Sequence, residues 1–79
     1  MRKRSFENTE LISTRRGGEV EVYRVHRGKE TFIVEAHGTT SPDMRIVRER
    51  GGKLIDPFTD LHMAIEDHML SYFLEWRGN

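Results

Sequence analysis

Hydrophobic residues in the first two-thirds of the chain occur in short runs that alternate with polar residues. Glycine-containing turns separate the runs at a spacing of roughly ten residues, as an antiparallel meander requires. The runs cover residues 10–16, 19–26, 30–37, 44–50 and 53–55. The clearest alternation is that of Phe32, Val34 and Ala36, which share one face of an extended strand. The first run is the weakest, because Leu11 and Ile12 are adjacent.

The second run changes phase along its length. Val20 and Val22 alternate with glutamates, whereas Tyr23 and Val25 carry the apolar character further on. A β-bulge near Val22 and Tyr23 would reconcile the two halves, and a twisted edge strand would give the same pattern.

After Pro57 the spacing of the apolar residues changes from two to three and four. Counted at about 100° per residue, these side chains fall within about 120° of one helix face. They are Phe58, Leu61, Ile65, Met69, Tyr72, Phe73 and Trp76. The spacing predicts a helix over residues 57–76 with Asp56 as N-cap and Pro57 at the first helical position, and Thr59 is the alternative N-cap.

Together these patterns predict one small α+β domain. It consists of an antiparallel three- to four-stranded β-meander followed by one C-terminal α-helix that packs across the sheet. The predicted boundaries are an N-terminal arm at 1–9, the meander at 10–55 and the helix at 57–76. Because the chain has 79 residues, we expect it to fold around a thin core.

Composition excludes several classes of protein. The chain has no cysteine, which excludes a disulfide framework and a thiolate metal site. The longest fully apolar run is too short to span a membrane. The N-terminus is basic but has no apolar segment after it, so we expect neither a secretory signal nor a membrane partner, and we expect a cytoplasmic location.

The net charge of zero conceals a polarised distribution. Residues 1–54 carry twelve Lys/Arg and eight Asp/Glu, for +4, whereas residues 55–79 carry one and five, for −4. Seven of the cations lie on strands and turns that a meander would make neighbours, and they are the candidate nucleic-acid contacts. They are Arg24, Arg27, Lys29, Arg45, Arg48, Arg50 and Lys53.

A three-stranded sheet followed by one helix is similar in topology to the AP2-like, arm-binding domains of tyrosine integrases. The resemblance implies a sheet that enters the major groove of DNA. Against DNA binding, Glu21, Glu35 and Glu49 recur along the same strands and would repel phosphates. A solvated sheet face of mixed charge is therefore the alternative interpretation.

Candidate catalytic chemistry is sparse. His62 and Glu66 stand four residues apart on the predicted helix, where they could in principle chelate a metal or share a proton. A pair of this kind on a helix surface contributes only a few tenths of a kcal/mol to the stability of the helix. No third potential ligand lies on the same side of the predicted helix. We therefore expect no metal, no cofactor and no enzymatic activity.

A second apolar stripe lies on the far side of the predicted helix. Met63, Leu70 and Leu74 are spaced by seven and four residues and point away from the core stripe. Aliphatic residues at this spacing indicate burial against another surface, which favours a homodimer or a protein partner. The alternative is that the N-terminal arm, with Phe6, or the first strand covers them.

The sequence thus favours a small non-enzymatic binding or regulatory module that acts through protein–protein interaction and self-associates through its C-terminal helix. The first alternative is a DNA-binding module that uses the basic face of the sheet. The weaker alternative is a small metal-binding or enzymatic protein built around His62 and Glu66.

Overall fold

A computed structural model describes residues 8–38 and 43–74 of the chain. It confirms the predicted fold, a four-stranded antiparallel sheet in the order β1-β2-β3-β4 followed by one helix, α1. The predicted arm lies almost wholly outside the described residues, as do Trp76 and the predicted end of the helix. The elements are β1 Thr9–Arg15, β2 Val20–Arg27, β3 Glu30–His37, β4 Asp43–Arg48 and α1 Asp60–Tyr72.

The hairpin between β2 and β3 has a two-residue turn of Gly28 and Lys29. Gly28 has φ of 64°, and a type II′ turn selects glycine at its first central position because it needs positive φ there. The chain then leaves β4 through residues 49–52 and returns beside it. Val47 and Leu54 form a single bridge, so the predicted fifth run covers the outer edge of β4.

The change of phase in β2 has a cause in the neighbouring strand. β2 pairs with β3 without interruption, whereas β1 carries an extra residue, Ile12, between Leu11 and Ser13. The expectation of a bulge within β2, or of an edge position for it, is therefore wrong. Because β2 keeps regular alternation as a central strand, its two apolar pairs lie on opposite faces of the sheet.

The core lies between one face of the sheet and α1. Tyr23, Val34 and Ile46 are cross-strand neighbours on that face, and the helix buries Ile65 and Met69 against the sheet. The ring of Tyr23 makes edge-to-face contacts with Tyr72 and Phe73 at centroid distances of 5.4 and 5.7 Å. These contacts confirm that the helix packs across the sheet.

Val20 and Val22 are buried on the opposite face, each only 4% exposed. Arg15 of β1 and Glu35 of β3 form an ion pair of 3.5 Å, and this pair crosses β2 beside the two valines. Long side chains cover aliphatic neighbours with their methylene stems while their charged ends stay in water. The face without the helix therefore buries some apolar surface under a layer of ion pairs.

The helix begins later than predicted. Thr59 is the N-cap, and its hydroxyl accepts a hydrogen bond from the backbone N–H of His62 at 3.3 Å. Asp56 does not cap the helix, because its carboxylate accepts the N–H of Phe58 at 2.9 Å and its carbonyl accepts the N–H of Thr59 at 3.2 Å. Residues 56–59 thus form a turn, with Pro57 at the second position that favours proline.

Candidate functional surfaces

The outer face of α1 carries the predicted second stripe. Met63 is 53% exposed and Leu70 39%, and Leu74, which follows the end of α1 at Tyr72, is 71% exposed, so the first strand does not bury them. Asp67, also exposed, lies between them, and the four residues are spaced by four, three and four. This is the spacing of the residues along a coiled-coil seam. The outer face thus presents a seam with three aliphatic side chains and one carboxylate.

His62 does not lie on the helix surface. Its side chain is 5% exposed, on the core side of α1, because the helix begins at Thr59 and packs with His62, Ile65 and Met69 towards the sheet. The interpretation of His62 and Glu66 as a surface pair is therefore wrong for His62. The Nδ1 atom lies 3.8 Å from Glu66 Oε1 and has no hydrogen-bond partner within the described part of the chain. Across residues 8–38 and 43–74, no three His, Asp or Glu side chains are grouped to hold a metal.

Two of the seven candidate nucleic-acid contacts lie on the sheet face away from the helix. Arg24 forms ion pairs with Glu10 at 3.3 Å and with Glu49 at 3.0 Å. Hydrogen bonds that the Arg24 guanidinium donates to Glu49 and then to Glu10 raise the pKa of Arg24 above its usual range. Arg45 stands in register with Glu35. The carboxylates on this face therefore offset its arginines, and the face has mixed charge.

The other five cations converge at one end of the sheet. The β2–β3 turn lies at that end, and β4, which runs antiparallel to β3, finishes there. Arg48 is paired with Glu30, and its guanidinium lies over the Phe32 ring at 5.6 Å. Four of the five cations make no ion pair with any described residue. These four are Arg27, Lys29, Arg50 and Lys53.

An aromatic side chain borders this cationic end. Phe58 is 92% exposed, although its spacing placed it in the core stripe of the predicted helix. It lies between Asp56 and Thr59, and both of these residues line a cleft with Arg48 and Lys53. The sequence signal for its exposure is the Asp-Pro pair, which indicates a turn before the helix rather than its first residue.

A polar contact joins α1 to the first strand. The hydroxyl of Thr9 lies 2.6 Å from His68 Nε2, and His68 lines a cleft together with Arg27. Burial lowers the pKa of His68, and the nearby charge of Arg27 lowers it further. The imidazole is therefore held in its neutral form as part of the contact between the helix and β1.

Comparisons with known proteins give no relative. No family model, no curated protein and no solved structure matches the chain. No helix among the described residues is long and apolar enough to cross a membrane.

Proposed function

We propose that this protein is a non-enzymatic protein-binding module that self-associates through the outer face of α1. The observation that supports this proposal is the exposure of Met63 and Leu70 at the spacing of a helix–helix seam. A helix that covers one sheet in a monomer normally carries polar residues on its outer face. The occupant is a second copy of the chain, because a two-fold helix pair is self-complementary.

The seam sets the arrangement of the pair. In an antiparallel pair with a two-fold axis at its centre, Met63 lies opposite Leu74 of the second copy. Asp67 then lies opposite Leu70, twice in each dimer. A carboxylate at a seam position costs stability and fixes the register, as polar seam residues do in coiled coils.

The expected affinity is modest. Fully burying an exposed aliphatic side chain contributes about 1.5–3 kcal/mol. Since the three side chains are 39–71% exposed and the dimer buries them in both copies, their burial yields roughly 5–10 kcal/mol before the costs of association. The contact is also smaller than the ~800 Å² per partner of a standard interface. We therefore expect a reversible dimer that forms at high micromolar concentration.

Sedimentation equilibrium over a concentration series tests the proposal. The mass of the wild-type protein should rise from monomer towards dimer. Leu70→Glu should stay monomeric, because its carboxylate would be desolvated in the seam but solvated in the monomer. Circular dichroism of the same sample should be unchanged. A strictly monomeric wild type at high micromolar concentration would refute self-association.

Asp67→Leu is the stronger test, because it should increase association. Removing the only charge from the seam should strengthen the dimer at least about tenfold. Ser71→Leu is the matched control: Ser71 is exposed on the same helix but lies outside the seam. If both variants strengthen association equally, non-specific hydrophobic association of the helix explains the effect, and the proposed seam is wrong.

A further inference from the structure

We propose that the cationic end of the sheet binds single-stranded nucleic acid, a function separate from self-association. In this proposal four side chains, Arg27, Lys29, Arg50 and Lys53, hold backbone phosphates. The ring of Phe58 stacks on one base. This combination of a positively charged surface with an exposed aromatic ring is the usual means by which proteins bind single strands.

Local ion pairs determine the net charge of this end. Its two glutamates are engaged in ion pairs, Glu30 with Arg48 and Glu49 with Arg24, which also pairs with Glu10. The four cations named above have no such partner in the described part of the chain. They therefore give the end a positive field that the zero net charge of the whole protein conceals.

The turn before α1 fixes the position of the Phe58 ring. The carboxylate of Asp56 accepts the N–H of Phe58 at 2.9 Å, and the hydroxyl of Thr59 donates to the Asp56 carbonyl at 2.7 Å. The backbone on both sides of the ring is thus held while the ring itself is 92% exposed. The same contacts occupy one carboxylate oxygen of Asp56.

A single strand fits this end better than a duplex. The four cations lie on turns and strand ends rather than along one face of a helix. An aromatic ring can stack on a base only where that base is unstacked.

Fluorescence anisotropy with a labelled 20-nucleotide single strand, repeated at several salt concentrations, tests the proposal. Affinity should fall linearly with salt on logarithmic axes, with a slope of about 0.7 for each phosphate contact. Arg50→Ala and Lys29→Ala should each flatten the slope by about that amount. Arg45→Ala, which removes a cation from the sheet face, is the matched control and should leave the slope unchanged.

The contribution of Phe58 to the binding free energy should not depend on salt concentration. Phe58→Leu should weaken binding on the order of tenfold at every salt concentration without changing the slope, because leucine is apolar but does not stack. Phe58→Tyr should retain the affinity. Both variants should fold normally, since the ring is exposed in the wild type.

Four results would overturn the proposal. They are the absence of binding at low salt, tighter binding to a 20-base-pair duplex of the same sequence, an unchanged affinity for Phe58→Leu, and a salt slope that depends on Arg45 rather than on Arg50. Binding only to vesicles that contain phosphatidylserine would identify a membrane surface as the ligand instead. The Leu70→Glu variant should bind the single strand as the wild type does, so failure of the self-association proposal leaves this one intact.

Discussion

Replacement of His62 by leucine tests how α1 packs on the sheet. The imidazole is 4% exposed, and its Nδ1 atom has no hydrogen-bond partner among the described residues. An unsatisfied polar group in such a position costs about 1–3 kcal/mol of stability, because it has lost water without gaining a partner. Leucine has a comparable volume and no polar atom.

His62→Leu should therefore stabilise the fold. We expect the free energy of unfolding to rise by about 1–2 kcal/mol. Removal of the unsatisfied nitrogen accounts for the increase, and the repacking of leucine among its neighbours reduces it. For a domain of this length that corresponds to an increase in Tm of roughly 5–15 °C. Urea denaturation at pH 7.5, followed by circular dichroism at 222 nm, measures the change.

Ser71→Leu serves as the control for helix propensity. It places the same residue at an exposed site of the helix and should change the free energy of unfolding by no more than about 0.5 kcal/mol. If His62→Leu leaves stability unchanged or lowers it, the imidazole makes favourable contacts in the folded protein. The Nδ1 atom would then carry no net cost in the folded protein.

Two further predictions concern the same helix. Ile65→Ala should lower the free energy of unfolding by about 2–5 kcal/mol, since it opens a cavity in the core. Leu70→Ala should lower it by less than about 1 kcal/mol in the monomer. Urea titrations of both variants give the comparison. Burial, and then the charge of Arg27, lowers the pKa of His68. The stability that depends on the neutral imidazole is therefore complete above the pKa of the unfolded state, about 6.5, and is lost as the pH falls below that value. His68→Gln should flatten that acid-side loss in urea midpoints measured between pH 7.5 and 5; an unchanged profile would exclude this origin.

The periodicity of the sequence was sufficient to predict the fold and the two faces of the helix. From Leu61 to Phe73 the residues of the predicted core stripe face the sheet, and Met63 and Leu70 lie on the exposed side, because the period of a helix determines which side chains share a face. Phe58 and His62 are the exceptions. The azimuth of His62 lay within reach of the core stripe, but histidine was assigned to the surface by its polarity, although the helix buries it.

Local turn chemistry accounts for the other differences. The Asp-Pro pair was compatible with both a helix start and a turn. The outcome depends on whether the Asp56 carboxylate accepts a hydrogen bond from the N–H three residues on or, as in this protein, from the N–H of Phe58 two residues on. The extra residue lies opposite Val22 and Tyr23 but in β1. A pattern in one strand cannot say which of two paired strands carries it. Strand pairing identifies it as Ile12 of β1.

The grouping of the cations follows from topology more than from their spacing in the sequence. In an antiparallel meander the second strand and the fourth strand end at the same edge of the sheet, so Arg27 and Arg50 come to one end although they lie far apart in sequence. Arg24 and Arg45 lie in strand interiors and stay on the face. The sequence could not show which cations keep a free charge, since that depends on ion pairs between strands.

The two proposed surfaces differ in how they respond to salt, and one titration therefore separates them. Pairing two copies of α1 brings Asp67 and Glu66 near their counterparts, so added salt should screen the repulsion and strengthen the dimer. Binding of a single strand releases counterions from its phosphates, so added salt should weaken it. If salt weakens both, the dimer depends on contacts between the cationic end and the acidic helix rather than on the aliphatic seam. Asp67→Leu would then weaken association instead of strengthening it, which makes the two arrangements of the dimer distinguishable with a single variant.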